Sequence, residues 1–273
     1  MCRWLAYSGA PLSLAELLFN TTHSLIQQSR HAREAETTTN ADGFGVGWYG
    51  TKDVPGVYHS MLPAWNDHNL YEIAHQIDSP LFLAHVRAAT NTPVQETNCH
   101  PFRYGHWIFV HNGIVREFEK VRRDLTLAVS PELFGNIRGT TDSELLFHLA
   151  LTFGLEDEPL RALERMTGFV ETVGKRAGAE APILMSLGIS DGKRIFGVRY
   201  SSDRHSSSLF HTKPVCDLRA DYPPVKRYSD DARALVSEPL TDNPFPWIEV
   251  PESTALVIEK GEITEFPFVP RQP

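Results

Sequence analysis

The sequence predicts an α+β fold of stacked helix and sheet layers with antiparallel sheets, and three observations predict it. Strand candidates arrive as hairpins: Ile183–Ile189 and Ile195–Val198 flank Asp191-Gly192, while Ala255–Ile258 and Ile263–Phe266 flank Lys260-Gly261. The two clearest helix candidates are consecutive, one beginning at Thr141 and the other striped by Leu160, Leu163, Met166, Val170 and Val173. Strands and helices do not alternate one by one, as a doubly wound parallel sheet would require.

Taken in order, the elements support this layering. Leu5 to Ser8 follow a short apolar start, and Leu14 to Asn20 read as a short helix that Pro11 and Ser13 can begin. Residues 43 to 49 alternate glycine with Phe44, Val46 and Trp48, the period of a strand. The glycine face of that strand leaves room for another backbone or a ligand. Asn69 to Ile77 fit a helix and Leu81 to Val86 a buried strand. Trp107 to Val110 and Ile114-Val115 lie on either side of a turn at His111-Asn112-Gly113. Thr141-Asp142-Ser143-Glu144 has capping-box spacing ahead of Leu145, Leu146, Leu149 and Phe153. Residues 239 to 251 hold four prolines and read as a long surface loop. No repeat or linker divides the chain, so residues 1–273 are expected to form a single domain.

Composition excludes several function classes. With 41% apolar and 22% charged residues, disorder, collagen and coiled coil are ruled out. A net charge of −8 argues against nucleic acid as a partner. The longest apolar run, Ala181 to Ile189, is far shorter than a membrane span. Ser8-Gly9, Pro11 and Ser13 break the early apolar stretch that a signal peptide would need. Cys2, Cys99 and Cys216 contain no CxxC pair, so neither a zinc ribbon nor a disulfide framework is expected. A reduced, cytoplasmic protein is the expectation.

Four segments carry residues suited to chemistry. Removal of Met1 would leave Cys2 with a thiol and a free α-amine, whose ordinary pKa values of about 8.5 and about 7.7–8.0 are matched near neutrality. The amine can then serve as the base for the thiol; a cysteine that simply packs is the competing reading. Arg87 closes the segment His85-Val86-Arg87-Ala88-Ala89-Thr90, where it can grip a carboxylate bidentately or form a structural ion pair. Asn112-Gly113 is either a type I′ turn or a side-chain amide beside a backbone N–H, two donors able to hold an oxyanion. Asp142 is either a first-turn acid complementing a helix dipole or a site for an ammonium group. His85, Cys99, His100, His106 and His111 cluster in sequence, but they lack metal-ligand spacing, so no metal or other cofactor is expected. Gly43-Phe44-Gly45-Val46-Gly47 lacks the spacing of a phosphate loop.

In this order the segments resemble the class II glutamine amidotransferases, whose glutaminase domain is an N-terminal-nucleophile hydrolase. The resemblance is carried by Met1-Cys2, by 85–90, by Asn98-Cys99-His100-Pro101-Phe102, by 111–113 and by 141–144, all within about the first 150 residues. It implies a four-layer αββα sandwich, with Cys2 as nucleophile and Asn112 and Gly113 as oxyanion-hole donors. It further implies that Arg87 binds an α-carboxylate, that Asp142 binds an α-ammonium, and that Thr90 and His100 line or support the pocket. Asn91 and Cys99 depart from the commonest family residues at their positions. The chain has no room for an ammonia-consuming second domain and is most similar to the stand-alone, YafJ-like branch, which includes hydrolases of γ-glutamyl amides.

The expected activity is therefore Cys-dependent cleavage of the side-chain amide of glutamine or a γ-glutamyl compound, through a γ-glutamyl thioester. One alternative is a glutaminase subunit that delivers ammonia to a separate synthase; a synthase or peptidase is the partner class implied. A non-catalytic metal- or ligand-binding protein on the same fold is the more distant alternative.

Overall fold

The computed structural model describes residues 2–33, 39–89 and 92–273. Its strands are β1 (Arg3–Ser13), β2 (Phe44–Trp48), β3 (Gly56–Ser60), β4 (Asp78–Val86), β5 (Phe102–Tyr104), β6 (Trp107–Val115) and β7 (Ile183–Ser190). They continue with β8 (Arg194–Ser201), β9 (Phe210–Thr212), β10 (Arg233–Val236), β11 (Trp247–Glu249), β12 (Thr254–Glu259) and β13 (Glu262–Pro267). The helices are α1 (Ala15–Leu18), α2 (Leu25–Arg30), α3 (His68–Gln76), α4 (Phe118–Leu127), α5 (Pro131–Phe134), α6 (Asp142–Thr152), α7 (Pro159–Arg176) and α8 (Val215–Leu218).

The strands form two sheets, ordered β11-β9-β10-β1-β4-β2-β3 and β13-β12-β8-β7-β6-β5. Every pairing in them is antiparallel. Side-chain alternation along β1 shows how the layers stack. Leu5 and Tyr7 join an apolar cluster with Leu17, Leu25, Leu70 and Val215, residues of the helices that cover this sheet. Trp4 and Ala6, on the other face, pack between the sheets against Val110, Ile195 and Leu256. A third cluster joins β6 and β7 to Leu146, Phe147, Leu163 and Val170 of α6 and α7. Three apolar interfaces separating helix, sheet, sheet and helix make the four-layer sandwich that the resemblance implied. Among the described residues, no helix is long and apolar enough to cross a membrane.

Both hairpins lie where the sequence put them, β7–β8 and β12–β13. Several local expectations are corrected. Pro11 and Ser13 do not begin a helix, because β1 runs through them with a register shift between Ser8 and Leu12. Such an irregularity is where a strand can accept proline. The proline-rich stretch 239–251 is not wholly loop: Trp247–Glu249 pairs with β9. Asn112-Gly113 is not a turn, since β6 continues through it, with Asn112 opposite Ser186 and Gly113 opposite Met185. Half of the capping box forms. Thr141 Oγ1 accepts the Glu144 N–H at 3.2 Å, but the Glu144 carboxylate turns to the N–H groups of Arg138 and Gly139, at 2.9 and 2.6 Å.

The glycine face of β2 receives backbone and not ligand: a Cβ on Gly45 would lie 2.2 Å from the His100 carbonyl oxygen. Across the sandwich, Trp4 Nε1 donates to Ser186 Oγ at 3.0 Å, and its ring occupies the space that a Cβ on Gly188 would need. On the helical side, Phe147 stacks on Phe109 with centroids 5.3 Å apart and both side chains fully buried. Phe147→Ala is expected to cost about 3–5 kcal/mol, as truncation of a core aromatic does, read as a lowered urea midpoint with unchanged slope.

Candidate active site

Cys2 immediately precedes β1, at the rim of the inter-sheet space. Its face of the strand is that of Trp4, which looks across to β6 and β7. Along β6 the residues Ile108 and Val110 also point between the sheets, so the strand period carries Asn112 to the same side. His111 points the other way, to α6, where its Nδ1 meets Ser143 Oγ at 2.8 Å. A cavity of ≈ 510 Å³ opens at this end of the sandwich, and Cys2, Arg87, His100, Asn112, Gly113 and Asp142 all line it. Thr90 lies outside the described residues, as does Met1.

The thiol rests against the chain after β4, its Sγ 3.4 Å from the Ala88 nitrogen, whose N–H it can accept. Burial pushes the Cys2 thiol pKa up and the Asp142 carboxylate adds to that, while the Ala88 N–H and the Arg87 cation pull it down. The upward push wins, so the resting group is a neutral thiol that needs a base.

Arg87 is only 3% exposed, yet among the described residues no carboxylate lies within ion-pair distance of it. Its guanidinium instead donates to the Asp42 carbonyl at 3.2 Å, to Thr92 Oγ1 at 2.6 Å and to the Pro93 carbonyl at 3.3 Å. The ion-pair alternative for Arg87 therefore finds no acid there. A buried cation that faces a cavity with no carboxylate in ion-pair reach favours an anionic ligand group.

Asp142 is the first residue of α6 and serves locally as well. Its Oδ1 accepts the Ser143 N–H at 2.7 Å and its Oδ2 accepts the Val115 N–H at 2.8 Å. These bonds hold the carboxylate beside the end of β6, where it contributes negative charge to the same cavity. Cation and anion thus face one space, as the two ends of an amino-acid zwitterion require.

The Asn112 side chain is 1% exposed, and neither its Nδ2 nor its Oδ1 has a hydrogen-bond partner among the described residues. Buried amides without partners are rare and carry a cost, so each calls for a reason. Gly113 is equally constrained, since a Cβ there would lie 2.0 Å from the Leu184 carbonyl oxygen.

Three histidines form the floor behind these groups. His85 Nε2 donates to the His111 carbonyl at 3.2 Å, and its ring stacks on His100 at 4.1 Å. Burial lowers the His85 pKa to about 3 and holds those of His100 and His111 below the ordinary value too. They are neutral at physiological pH and leave Arg87 as the cavity's cation on that side. Among the described residues, no three His, Cys, Asp or Glu side chains are grouped as a metal ion would require. His106, part of the sequence cluster, is set apart beside Glu156 on the surface, 3.6 Å from it.

Sequence reasoning missed Asp42, Ala88 and Thr92. Asp42 Oδ2 accepts the Ala89 N–H at 2.7 Å, so with its carbonyl on Arg87 it braces the whole segment after β4. The signal was Asp42-Gly43 ahead of the alternating strand, with Gly43 at φ +107°. Asn98, buried and fully bonded, ties the Pro93 carbonyl to Thr140 near the start of α6.

Comparison with known proteins gives the same picture. The family model for class II glutamine amidotransferases matches residues 13–272. A probable glutamine amidotransferase of Saccharomyces cerevisiae, DUG3, is 32% identical over 98% of this chain and 85% of its own length. The γ-glutamyl-hercynylcysteine sulfoxide hydrolase of Mycolicibacterium smegmatis is 27% identical over 98% of this chain and its whole length. Among solved structures, a glutamine aminotransferase class-II domain protein from Silicibacter pomeroyi superimposes with a TM-score of 0.74 at 32% identity, covering 98% of this chain and all of the other. The chain belongs to the class II glutamine amidotransferases.

Proposed function

We propose that this chain, as a single domain, hydrolyses the side-chain amide of a γ-glutamyl compound with Cys2 as an N-terminal nucleophile. The observation that carries the reading is the buried Asn112 amide, without a partner among the described residues, in the same cavity as the Cys2 thiol. In the proposed sequence Met1 is removed and the freed α-amine takes the thiol proton. Sulfur attacks the amide carbon, and the resulting oxyanion is held by the Asn112 Nδ2–H and the Gly113 N–H. The α-ammonium then protonates the departing nitrogen, the C–N bond breaks, and ammonia or an amine leaves a γ-glutamyl thioester. Water, deprotonated by the same amine, cleaves the thioester to release glutamate and restore the thiol. Arg87 and Asp142 hold the α-carboxylate and α-ammonium, with His100 and Thr90 supporting the pocket.

The hydrolases of γ-glutamyl-hercynylcysteine sulfoxide and the probable yeast amidotransferase among the relatives support this chemistry. The cavity has room beyond a bare glutamine, which favours a substituted amide as substrate. A reducing cytoplasm suits an enzyme that depends on a free thiol. The experiment is a screen of free glutamine against γ-glutamyl amides, with ammonia and glutamate measured separately. Release from the substituted amides carries the proposal. Cleavage of glutamine alone, stimulated by a synthase or peptidase partner, would instead make the chain an ammonia-delivering subunit.

The zwitterion assignment gives its own expected result. Losing a charge-assisted hydrogen bond costs about 1.5–3 kcal/mol, roughly 10- to 150-fold in affinity. Arg87→Lys keeps the charge but not the planar fork, so it should weaken binding by that order. In Asp142→Asn, γ-glutamyl amides should lose their kcat/KM advantage over glutaryl amides, which lack the amine. An unchanged preference would make Asp142 a helix-terminal acid only.

A further inference from the structure

Arg3 and Glu238 form a buried ion pair directly behind Cys2, and the chemistry above makes no use of them. Arg3 follows Cys2 on β1, so its side chain enters the opposite, helix-covered face of the sheet. There Arg3 Nε donates to Glu238 Oε2 at 2.7 Å, and both residues are 1% exposed. Arg3 Nη1 turns back and donates to the Cys2 carbonyl at 2.8 Å. The other Glu238 oxygen accepts the Arg33 N–H at 2.9 Å and meets the His23 ring. The strand itself is tied to the same segment: Trp4 N–H donates to Ser237 Oγ at 2.9 Å, and Ser237 N–H donates to the Trp4 carbonyl at 3.0 Å.

A buried charge pair adds little stability over apolar residues of the same shape, so stability alone does not account for it. Geometry does. Once Met1 is gone, Cys2 has one peptide bond, and chain ends fray unless tied down. Its single carbonyl is the group that Arg3 holds, which sets the direction in which both the amine and the thiol leave the backbone.

We infer that Arg3 and Glu238 are positioning residues that fix the Cys2 main chain so that its amine and thiol aim together into the cavity. The inference rests on Cys2 being the nucleophile. Glu238→Gln keeps the shape and removes the charge; kcat should fall about 10- to 100-fold, on the scale of a nucleophile misplaced by about 1 Å. KM should stay nearly constant, because Arg87 and Asp142 are untouched. Alkylation of Cys2 by iodoacetamide, followed by mass on its peptide, should slow in parallel without any substrate present. Arg3→Lys cannot span both acceptors and should behave like Glu238→Gln.

The paired replacement Arg3→Met with Glu238→Leu removes both charges and also leaves the Arg33 N–H and the His23 ring without their acceptor, so its thermal midpoint should fall. In the folded pair KM should stay near that of the unaltered enzyme while kcat stays low. Full kcat and full alkylation rate, in Glu238→Gln or in a stable pair, would overturn the inference. If the pair does not fold, the alkylation rate of folded Glu238→Gln decides alone. Turnover by Cys2→Ala would instead overturn the nucleophile reading, a different result from an active Glu238 variant.

Discussion

Cys2→Ala is expected to abolish release of amine and glutamate, with a loss on the order of 10⁶ in kcat, as when the nucleophile of a hydrolase is removed. The loss should be this large because the described residues lining the cavity offer no substitute: Thr92 Oγ1 is held by Arg87. Ser143 Oγ is engaged by His111 Nδ1 and Asp142 Oδ1, and Thr141 Oγ1 caps the helix. Arg87, Asp142 and Asn112 remain, so the variant should still bind substrate, measured by calorimetry. A second arm leaves the thiol in place and removes the base. A chain that retains Met1 or an uncleaved tag carries an amide nitrogen where the amine should be, and an amide accepts no proton near neutrality. Since burial already raises the thiol pKa, that thiol stays protonated and turnover should fail equally. In the processed enzyme, activity should rise with pH as the amine loses its proton, around its ordinary pKa of about 7.7–8.0. Intact mass identifies which form is being assayed. Full activity from a chain that retains Met1 would end the N-terminal mechanism.

The two hairpins were legible because Asp191-Gly192 and Lys260-Gly261 are local signals, with Gly192 at φ +87° and Gly261 at φ +80°. The same rule failed at Asn112-Gly113. There the pairing of β6 with β7 over Ile108 to Val115 outweighs the turn preference of two residues. β9, β10 and β11 went unread because they are three or four residues long, too short for a period to show. Glu144 departed from its capping box because the backbone of Arg138 and Gly139 passes within its reach, a tertiary fact that spacing cannot contain.

Site residues were legible in a different way. Arg87, Asn112 and Asp142 each had a local explanation that competed with a functional one, and only the family order of the segments tipped the balance. What bears on these readings is the surroundings of the side chains: among the described residues, Arg87 has no acid within ion-pair distance and the Asn112 side-chain amide has no partner. Asp142 is a first-turn acid by its bond from the Ser143 N–H, and the bond from the Val115 N–H keeps the same carboxylate at the cavity, where the proposed ammonium site would lie. Asp42 was marked only by the Asp42-Gly43 step ahead of β2, which names no partner. Its work is done on Arg87 and Ala89, far along the chain.

Asn112→Ala is expected to lower kcat by about 10²–10³ with little change in KM, since a donor to the oxyanion acts mainly in the transition state. Its effect on stability should be small. Neither Nδ2 nor Oδ1 bonds to another described residue, so truncation breaks no hydrogen bond within the described protein. Alanine removes both atoms at the edge of the cavity, so the variant should be about as stable as the unaltered enzyme. Asn112→Asp keeps the shape but replaces the donor with a carboxylate that repels the oxyanion, and its kcat should fall further still. The measurements are kcat on a γ-glutamyl amide and the urea midpoint, made on the same preparations. A residue kept for folding would give the reverse pattern, a lowered midpoint with kcat unchanged. That result would leave the oxyanion without its side-chain donor and would remove the observation on which the proposed chemistry stands.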